Sequence, residues 1–387
     1  MKNILIEGWR TVNHSYALVN QYQILELLKH EDLCLFHRDL PYASARWDAK
    51  TVGSGFAEED RERIDALAEP AEGASIDFCY RIASPFQVSR SVSDTCKKIT
   101  FMVTEVGLSA TSFPDGTDVL GQFTENDDLI VTPSNWSKER IVEFGFDATK
   151  IMVVPHGVDQ KTFHPVTSEE KSANRRNLGI KDDDVVFLNL GAVFWNKGVD
   201  ILLLAFAKLR QRHKNLRLIL KDQRALYGKS IDQTVHDLCA KYPSLFTADT
   251  LDALILIGVN LSQEQLRLMY GIADCYVSPY RAEGFNLPVL EALACGIPVV
   301  VTEGGATDDF CSPEVAVRLP STAGLLDQLE SGCIARYREP DPDAIVEVLE
   351  RFITGRGIDA DRFGLARKEL LDRMSWKAAV DMLQKLM

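Results

Sequence analysis

Short apolar runs of strand length alternate with helical patterns along the whole chain, and this alternation most narrows the folds open to it. In the first half, Asn3 to Glu7, Leu33 to Phe36, Ile76 to Tyr80, Ile99 to Val103 and Leu129 to Thr132 read as strands. Helical patterns near Tyr16 to Lys29, Glu58 to Leu67, Phe86 to Val92 and Lys138 to Phe144 separate them. The second half repeats the style with Val185 to Leu190, Leu216 to Leu220, Ala253 to Ile257, Asp274 to Val277 and Val299 to Val301, and Val315 to Arg318 is a further candidate. Strand, helix and strand in succession predict parallel sheets with helices on both faces, a doubly wound α/β architecture. At 387 residues the chain exceeds what one core usually covers, so two such domains are expected.

Composition narrows the setting. No apolar run approaches the ~20 residues of a membrane-spanning helix. The amino terminus reads as a strand and turn, Met1 to Gly8, not as a signal peptide, so a cytoplasmic protein is expected. Eight cysteines lie scattered without a C-x-x-C pair, which predicts a reduced compartment, no zinc site and cysteines acting as small core hydrophobes. A formal charge of −13 argues against general nucleic-acid binding while leaving room for a local basic patch.

The segment Glu283-Gly284-Phe285-Asn286-Leu287-Pro288-Val289-Leu290-Glu291 carries the densest chemistry. Pro288 fits the first turn of a helix, where its missing N–H would be unpaired in any case. Gly284 lets backbone approach a ligand, and a helix amino terminus favours an anion such as a diphosphate. Glu291 lies about one turn into that helix, so two carboxylates flank one anion site. A carboxylate accepts from both hydroxyls of a vicinal diol, which suits a ribose or a hexose. The same residues also read as two solvated glutamates bracketing an ordinary helix. The strands Ala273 to Ser278 and Ile297 to Val301 enclose the segment, which puts the pair at a strand's carboxyl end, where open α/β sheets bind ligands.

With those flanks the segment resembles the E-x7-E signature of the family 4 retaining glycosyltransferases of the GT-B fold. The resemblance implies two Rossmann-like domains facing each other across a cleft: residues 1–158, with a final helix 375–387 returning to them, and residues 159–374, which bind the nucleotide sugar. It implies that Glu283 contacts the transferred sugar, Glu291 holds the ribose, and Gly284, Phe285, Asn286 and Leu287 line the donor. Gly191 to Gly198 opens the second domain, and there Lys197 would neutralise the leaving diphosphate, or be a solvated loop lysine. Relatives usually carry an arginine where this chain has Ala192. Arg224 or Lys221 could supply that charge, or belong to the surface. Gly305 and Thr307 lie where the family closes over the donor.

The amino-terminal half departs further. The family's paired glycine after the first strand and its histidine after the fourth are absent; the chain has Glu7-Gly8-Trp9-Arg10 and Thr104-Glu105-Val106-Gly107 instead. Gly8 and His14 are therefore acceptor-side candidates and Glu105 stands where the histidine is expected, each with an incidental loop or capping role as the alternative. Asp341 and Asp343, and Asp359 and Asp361, read as solvated caps, and the resemblance implies no metal or cofactor beyond the nucleoside-diphosphate sugar. It further implies a glycan, glycolipid or small-molecule acceptor in cell-surface assembly, with peripheral contact at the inner membrane face. A GT-B epimerase and a non-catalytic sugar-nucleotide binder share these features; a dehydrogenase is disfavoured because no G-x-G-x-x-G follows either opening strand.

Overall fold

The computed structural model describes residues 1–387 except 45–46, 48–54, 88–95, 114–117, 126–127 and 329–332. The chain divides into two compact units, Met1–Gly157 with Leu325–Ala335 and Met374–Met387, and Val158–Gly324 with Arg336–Arg373.

The first unit is built on a parallel sheet of β1 (Lys2–Gly8), β2 (Leu33–Asp39), β3 (Phe78–Ile82), β4 (Lys97–Phe101), β5 (Leu129–Thr132) and β6 (Ile151–Val153). Their spatial order is β2-β1-β3-β4-β5-β6, with every described pair parallel. The direction of the winding reverses between β1 and β3, and such a switch point opens a crevice beyond the strands' carboxyl ends. Helices α1 (Ser15–Leu27), α2 (Glu58–Asp65), α3 (Val119–Glu125) and α4 (Asn135–Phe144) connect the strands. The expected third strand lies two residues later than its apolar run suggested, because Ile76 packs beneath the sheet without joining it. The helix expected over Phe86 to Val92 lies largely outside the described residues, and Phe86 and Gln87 are not helical.

The second unit begins with α5 (Ser168–Asn177) and carries β7 (Val185–Leu190), β8 (Leu216–Lys221), β9 (Leu254–Ile257), β10 (Cys275–Ser278), β11 (Val299–Thr302) and β12 (Ala316–Leu319). Read from β9, the order is β9-β8-β7-β10-β11-β12, the arrangement of a dinucleotide-binding sheet. Its switch point falls between β7 and β10. Both faces of these strands are covered, which is why their sequences are continuous apolar runs without alternation. Helices α6 (Val199–Arg210), α7 (Arg224–Tyr227), α8 (Ile231–Lys241), α9 (Ala248–Asp252), α10 (Gln263–Ile272), α11 (Leu287–Ala294), α12 (Pro342–Ile353) and α13 (Ala360–Arg373) complete the unit. On one face Leu216, Leu218 and Leu220 of β8 meet Leu202, Phe206 and Leu209 of α6 in one buried cluster. Strands β13 (Ser321–Gln328) and β14 (Cys333–Pro340) form a separate two-stranded sheet.

The chain ends in α14 (Trp376–Gln384), capped by Ser375 and grouped with the first unit. Trp376 stacks on Tyr22 of α1 with ring centroids 4.9 Å apart. Among the described residues no helix is long and apolar enough to cross a membrane.

Candidate functional site

The switch point of the second unit brings two loops together. Gly198 adopts φ +68°, and a Cβ there would run into the carbonyl of Pro279, so only glycine lets the β7 loop lie against the β10 loop. Asn196 fixes the contact: its carbonyl accepts from the N–H groups of Arg281 (2.7 Å) and Ala282 (3.2 Å), and its Nδ2 donates to Ala282 O (3.0 Å). Arg281 is buried and held on three sides, by Asp200, by Glu339 and by the ring of Trp195. This bracing sets Lys197 Nζ 2.8 Å from Glu283 Oε2, with the two side chains 19 % and 12 % exposed.

Beyond Glu283 the chain turns sharply into α11. Asn286 sits at the helix entry with φ +80°, its side chain making no cap but donating to Ser278 Oγ at 3.0 Å. Among the described residues Thr11 is the one other non-glycine with positive φ, at +67°. Thr11 follows β1 and Asn286 follows β10, so each outlier lies in a loop leaving a switch-point strand. Left-handed backbone costs a non-glycine residue about 1 kcal/mol, and such strain gathers where function over-determines geometry. Phe285 stacks on Phe310 at 4.9 Å, beneath the turn. Glu291, one turn into α11, accepts from Tyr270 Oη at 2.7 Å. Burial pushes its carboxyl up to about 7, against the opposing effect of that hydrogen bond.

The other candidates separate. Gly191, at φ +148°, faces open space, and its N–H bonds to Lys221 O. Thr307 is fully buried and its hydroxyl meets Tyr280 Oη at 2.7 Å, while a Cβ at Gly305 would strike the same tyrosine. Both therefore shape their loop by packing against Tyr280, and the Thr307 hydroxyl is already engaged there. Arg224 is engaged by Asp222 through Nε and Nη2 and by Asp232 at 2.8 Å, so its charge is already matched.

In the first unit Gly8 admits the close approach of Ile82, whose carbonyl would lie 2.7 Å from an added Cβ. His14 caps α1, its Nδ1 accepting from Tyr16 N–H, within a cluster of Trp9, Tyr16 and Trp47 rings. Burial holds its imidazole down to about 4, so it is neutral at pH 7. Glu105 is half-buried in the bend after β4, and its carbonyl accepts from Trp136 Nε1.

A family model described as glycosyl transferases group 1 matches residues 170–364, half of the chain and all of the Lys197, Glu283 and Glu291 site. The chain belongs to that family. Among curated relatives, an uncharacterized glycosyltransferase of Methanocaldococcus jannaschii is 26% identical over 64% of this chain and 56% of its own length. A D-inositol 3-phosphate glycosyltransferase of Geodermatophilus obscurus is 34% identical over 47% of this chain and 39% of its own. The chain thus spans only about half the length of these curated relatives. Solved structures share the fold over the entire chain. They include Anabaena HepE in complex with UDP and glucose, with a TM-score of 0.67, 15% identity and 99% of that chain covered. Sucrose-phosphate synthase from Thermosynechococcus elongatus has a TM-score of 0.65 at 15% identity, with 98% covered. Both sheets are those of GT-B glycosyltransferases.

Sequence reasoning did not single out Tyr270, Asn196 or Arg281. Tyr270 lies in α10, outside either loop, and nothing in its local pattern announces a hydroxyl aimed at a carboxylate 21 positions later. Asn196 had a signal: a polar residue between Trp195 and Lys197 in a loop too short to leave its amide idle.

Proposed function

We propose that the protein transfers a glycosyl group from a nucleoside-diphosphate sugar to an acceptor hydroxyl with retention at the anomeric carbon. The carrying observation is the Lys197–Glu283 pair at 2.8 Å, braced beside the amino terminus of α11 with Glu291 one turn inside. Family membership and the UDP and UDP-glucose bound by Anabaena HepE support the same reading.

The donor diphosphate meets the first turn of α11, where backbone donors and the helix dipole favour an anion. Glu291 accepts from the ribose diol and Glu283 from hydroxyls of the transferred sugar. Lys197 stabilises the charge that grows on the phosphate oxygen as its bond to the anomeric carbon breaks. The acceptor oxygen bonds to that carbon on the same face, and its proton passes to the departing phosphate, so no separate base is required. By the family resemblance the first unit takes the acceptor, with Gly8, His14 and Glu105 as candidate residues. His14, neutral and capping α1 through Nδ1, holds its proton on Nε2 and orients that loop.

The test is thermal stabilisation and nucleotide release with UDP-, GDP- and ADP-sugars for the wild type, Glu291→Ala and Lys197→Ala. One nucleotide class should stabilise the wild type and neither variant. No response to any donor would remove the assignment; release of a rearranged donor without acceptor would favour an epimerase, and binding without turnover a binding protein.

A further inference from the structure

The candidate donor site is short of positive charge. Lys197 is already matched by Glu283, and Glu291 adds a second carboxylate, so the three side chains bring no net cation to a diphosphate. Two nearby arginines do not change this: Arg224 is held by Asp222 and Asp232, and Arg281 by Asp200 and Glu339. Lys221 is different. It is the last residue of β8 and only 6 % exposed, yet its ammonium has no hydrogen bond or salt bridge among the described residues. Asp222 attracts it, but that carboxylate is occupied by Arg224 and by the N–H of Ile231. Its side chain is largely buried while Nζ is not among the fully enclosed unpartnered atoms, so the ammonium still opens to solvent, and burial holds its pKa below the ordinary lysine value.

Its position points toward the donor site. Leu216, Leu218 and Leu220 of β8 face the α6 cluster, so by strand alternation Lys221 stands on the opposite face with Ile219. In register Lys221 is paired with Leu190 of β7, and its carbonyl holds the N–H of Gly191, whose missing side chain leaves open space. Leu190 O in turn accepts from Tyr276 Oη at 3.1 Å, and Tyr276 lies in the fields of both Glu283 and Glu291. The lysine therefore ends two strands from β10, whose loop leads to the two carboxylates, on the sheet face that Tyr276 shares.

We propose that Lys221 is a donor-binding residue: its ammonium pairs with the diphosphate of the nucleoside-diphosphate sugar and adds a second positive charge to that of Lys197, which Glu283 already partly offsets. This rests on the donor site proposed above. The ammonium is left open at the end of β8, without a side-chain partner among the described residues, where the ligand can supply one.

Lys221→Met keeps the length and removes the charge, and Lys221→Gln serves as a second variant. Dissociation constants are measured for the wild type and both variants with the diphosphate of the base it accepts and with the corresponding nucleoside, alongside the melting temperature of each empty protein. Both variants should bind the diphosphate roughly 10–100-fold more weakly, the effect of one charged hydrogen bond, and bind the nucleoside as the wild type does. Lys221→Met should melt at the same temperature or higher. Unchanged diphosphate binding, an equal loss for diphosphate and nucleoside, or a lower melting temperature in both variants would each overturn the assignment. A wild type that binds no nucleoside diphosphate would instead remove the donor site itself, and Lys221's role with it.

Discussion

Tyr270 donates its hydroxyl to Glu291 Oε2 at 2.7 Å, joining two helices, α10 and α11, at a carboxyl that burial has raised to about 7. An unfolded glutamate titrates near 4.5, so between pH 4.5 and 7 the folded chain holds a proton that the unfolded chain releases. The stabilisation from that proton is complete below pH 4.5 and lost as pH rises to 7, a total of about 3 kcal/mol. Glu291→Gln should remove this slope and melt above the wild type at pH 8. A pH series of melting curves decides it: parallel curves for the two proteins would mean that Glu291 titrates normally.

Donor affinity should run the opposite way. A ribose diol donates to the ionised carboxylate, so binding strengthens as pH rises through 7. Tyr270→Phe deletes a hydrogen bond that favours ionisation and should move the binding midpoint to higher pH. A midpoint that stays in place in the phenylalanine variant would make Tyr270 a packing residue only.

Lys197 and Glu283 should not contribute independently, because each is the other's partner at 2.8 Å. Lys197→Met is expected to lower kcat about 10²–10³-fold, the usual loss when one preorganised charge is taken from a leaving group. Glu283→Gln should act mainly on KM for the donor sugar. The double variant should lose less than the product of the two single losses, measured by steady-state kinetics. Strict multiplicativity would separate the two residues' roles.

Much of this site was legible in the residues. The apolar runs placed most strands within a residue or two, because strands covered on both faces cannot hide their composition. Glu283, Glu291 and Lys197 were singled out from the glycine and proline punctuation of their loops together with the family resemblance, and the fold brings Lys197 and Glu283 together. What escaped were contacts made by partners remote in sequence. Arg224 looked free in a polar loop, and only the fold showed Asp232 beside it. Gly305 and Thr307 read as a turn closing over the donor, and only the fold showed the Thr307 hydroxyl engaged by Tyr280, 27 positions earlier. A local pattern announces a residue's chemistry; whether that chemistry is available depends on neighbours that spacing cannot name.

Gly198→Ala should disable the site without touching any charged group. The substitution forces a side chain into left-handed backbone, costing about 1–2 kcal/mol, and drives its Cβ into Pro279 O, which cannot yield without moving the β10 loop. Stability should fall by about 3 kcal/mol or more in denaturant titration, and donor binding should be lost even where the chain remains folded. A variant with wild-type donor affinity would show that Asn196 alone aligns the two loops.

Acid should attack the first unit before the second. His14 is held down to about 4 by burial, and His37 and His156 to about 3, His37 with help from Arg10; all three belong to the first unit. Unfolded histidine titrates near 6.5, so below that pH the unfolded chain binds protons that the folded unit refuses. Each depressed imidazole therefore contributes stability that is present above pH 6.5 and lost as pH falls toward 4. Glu291, in the second unit, has the opposite sign over pH 4.5 to 7 and strengthens its unit in the same acid range. Calorimetry at pH 7.5 and pH 5 should thus show the melting of the first unit moving down while that of the second holds or rises. His14→Gln retains a side chain able to cap α1 and removes one titrating group, so it should shrink the acid shift of the first unit. Should both units weaken together on acidification, or should His14→Gln leave the shift intact, the buried histidines are not what governs the response to acid.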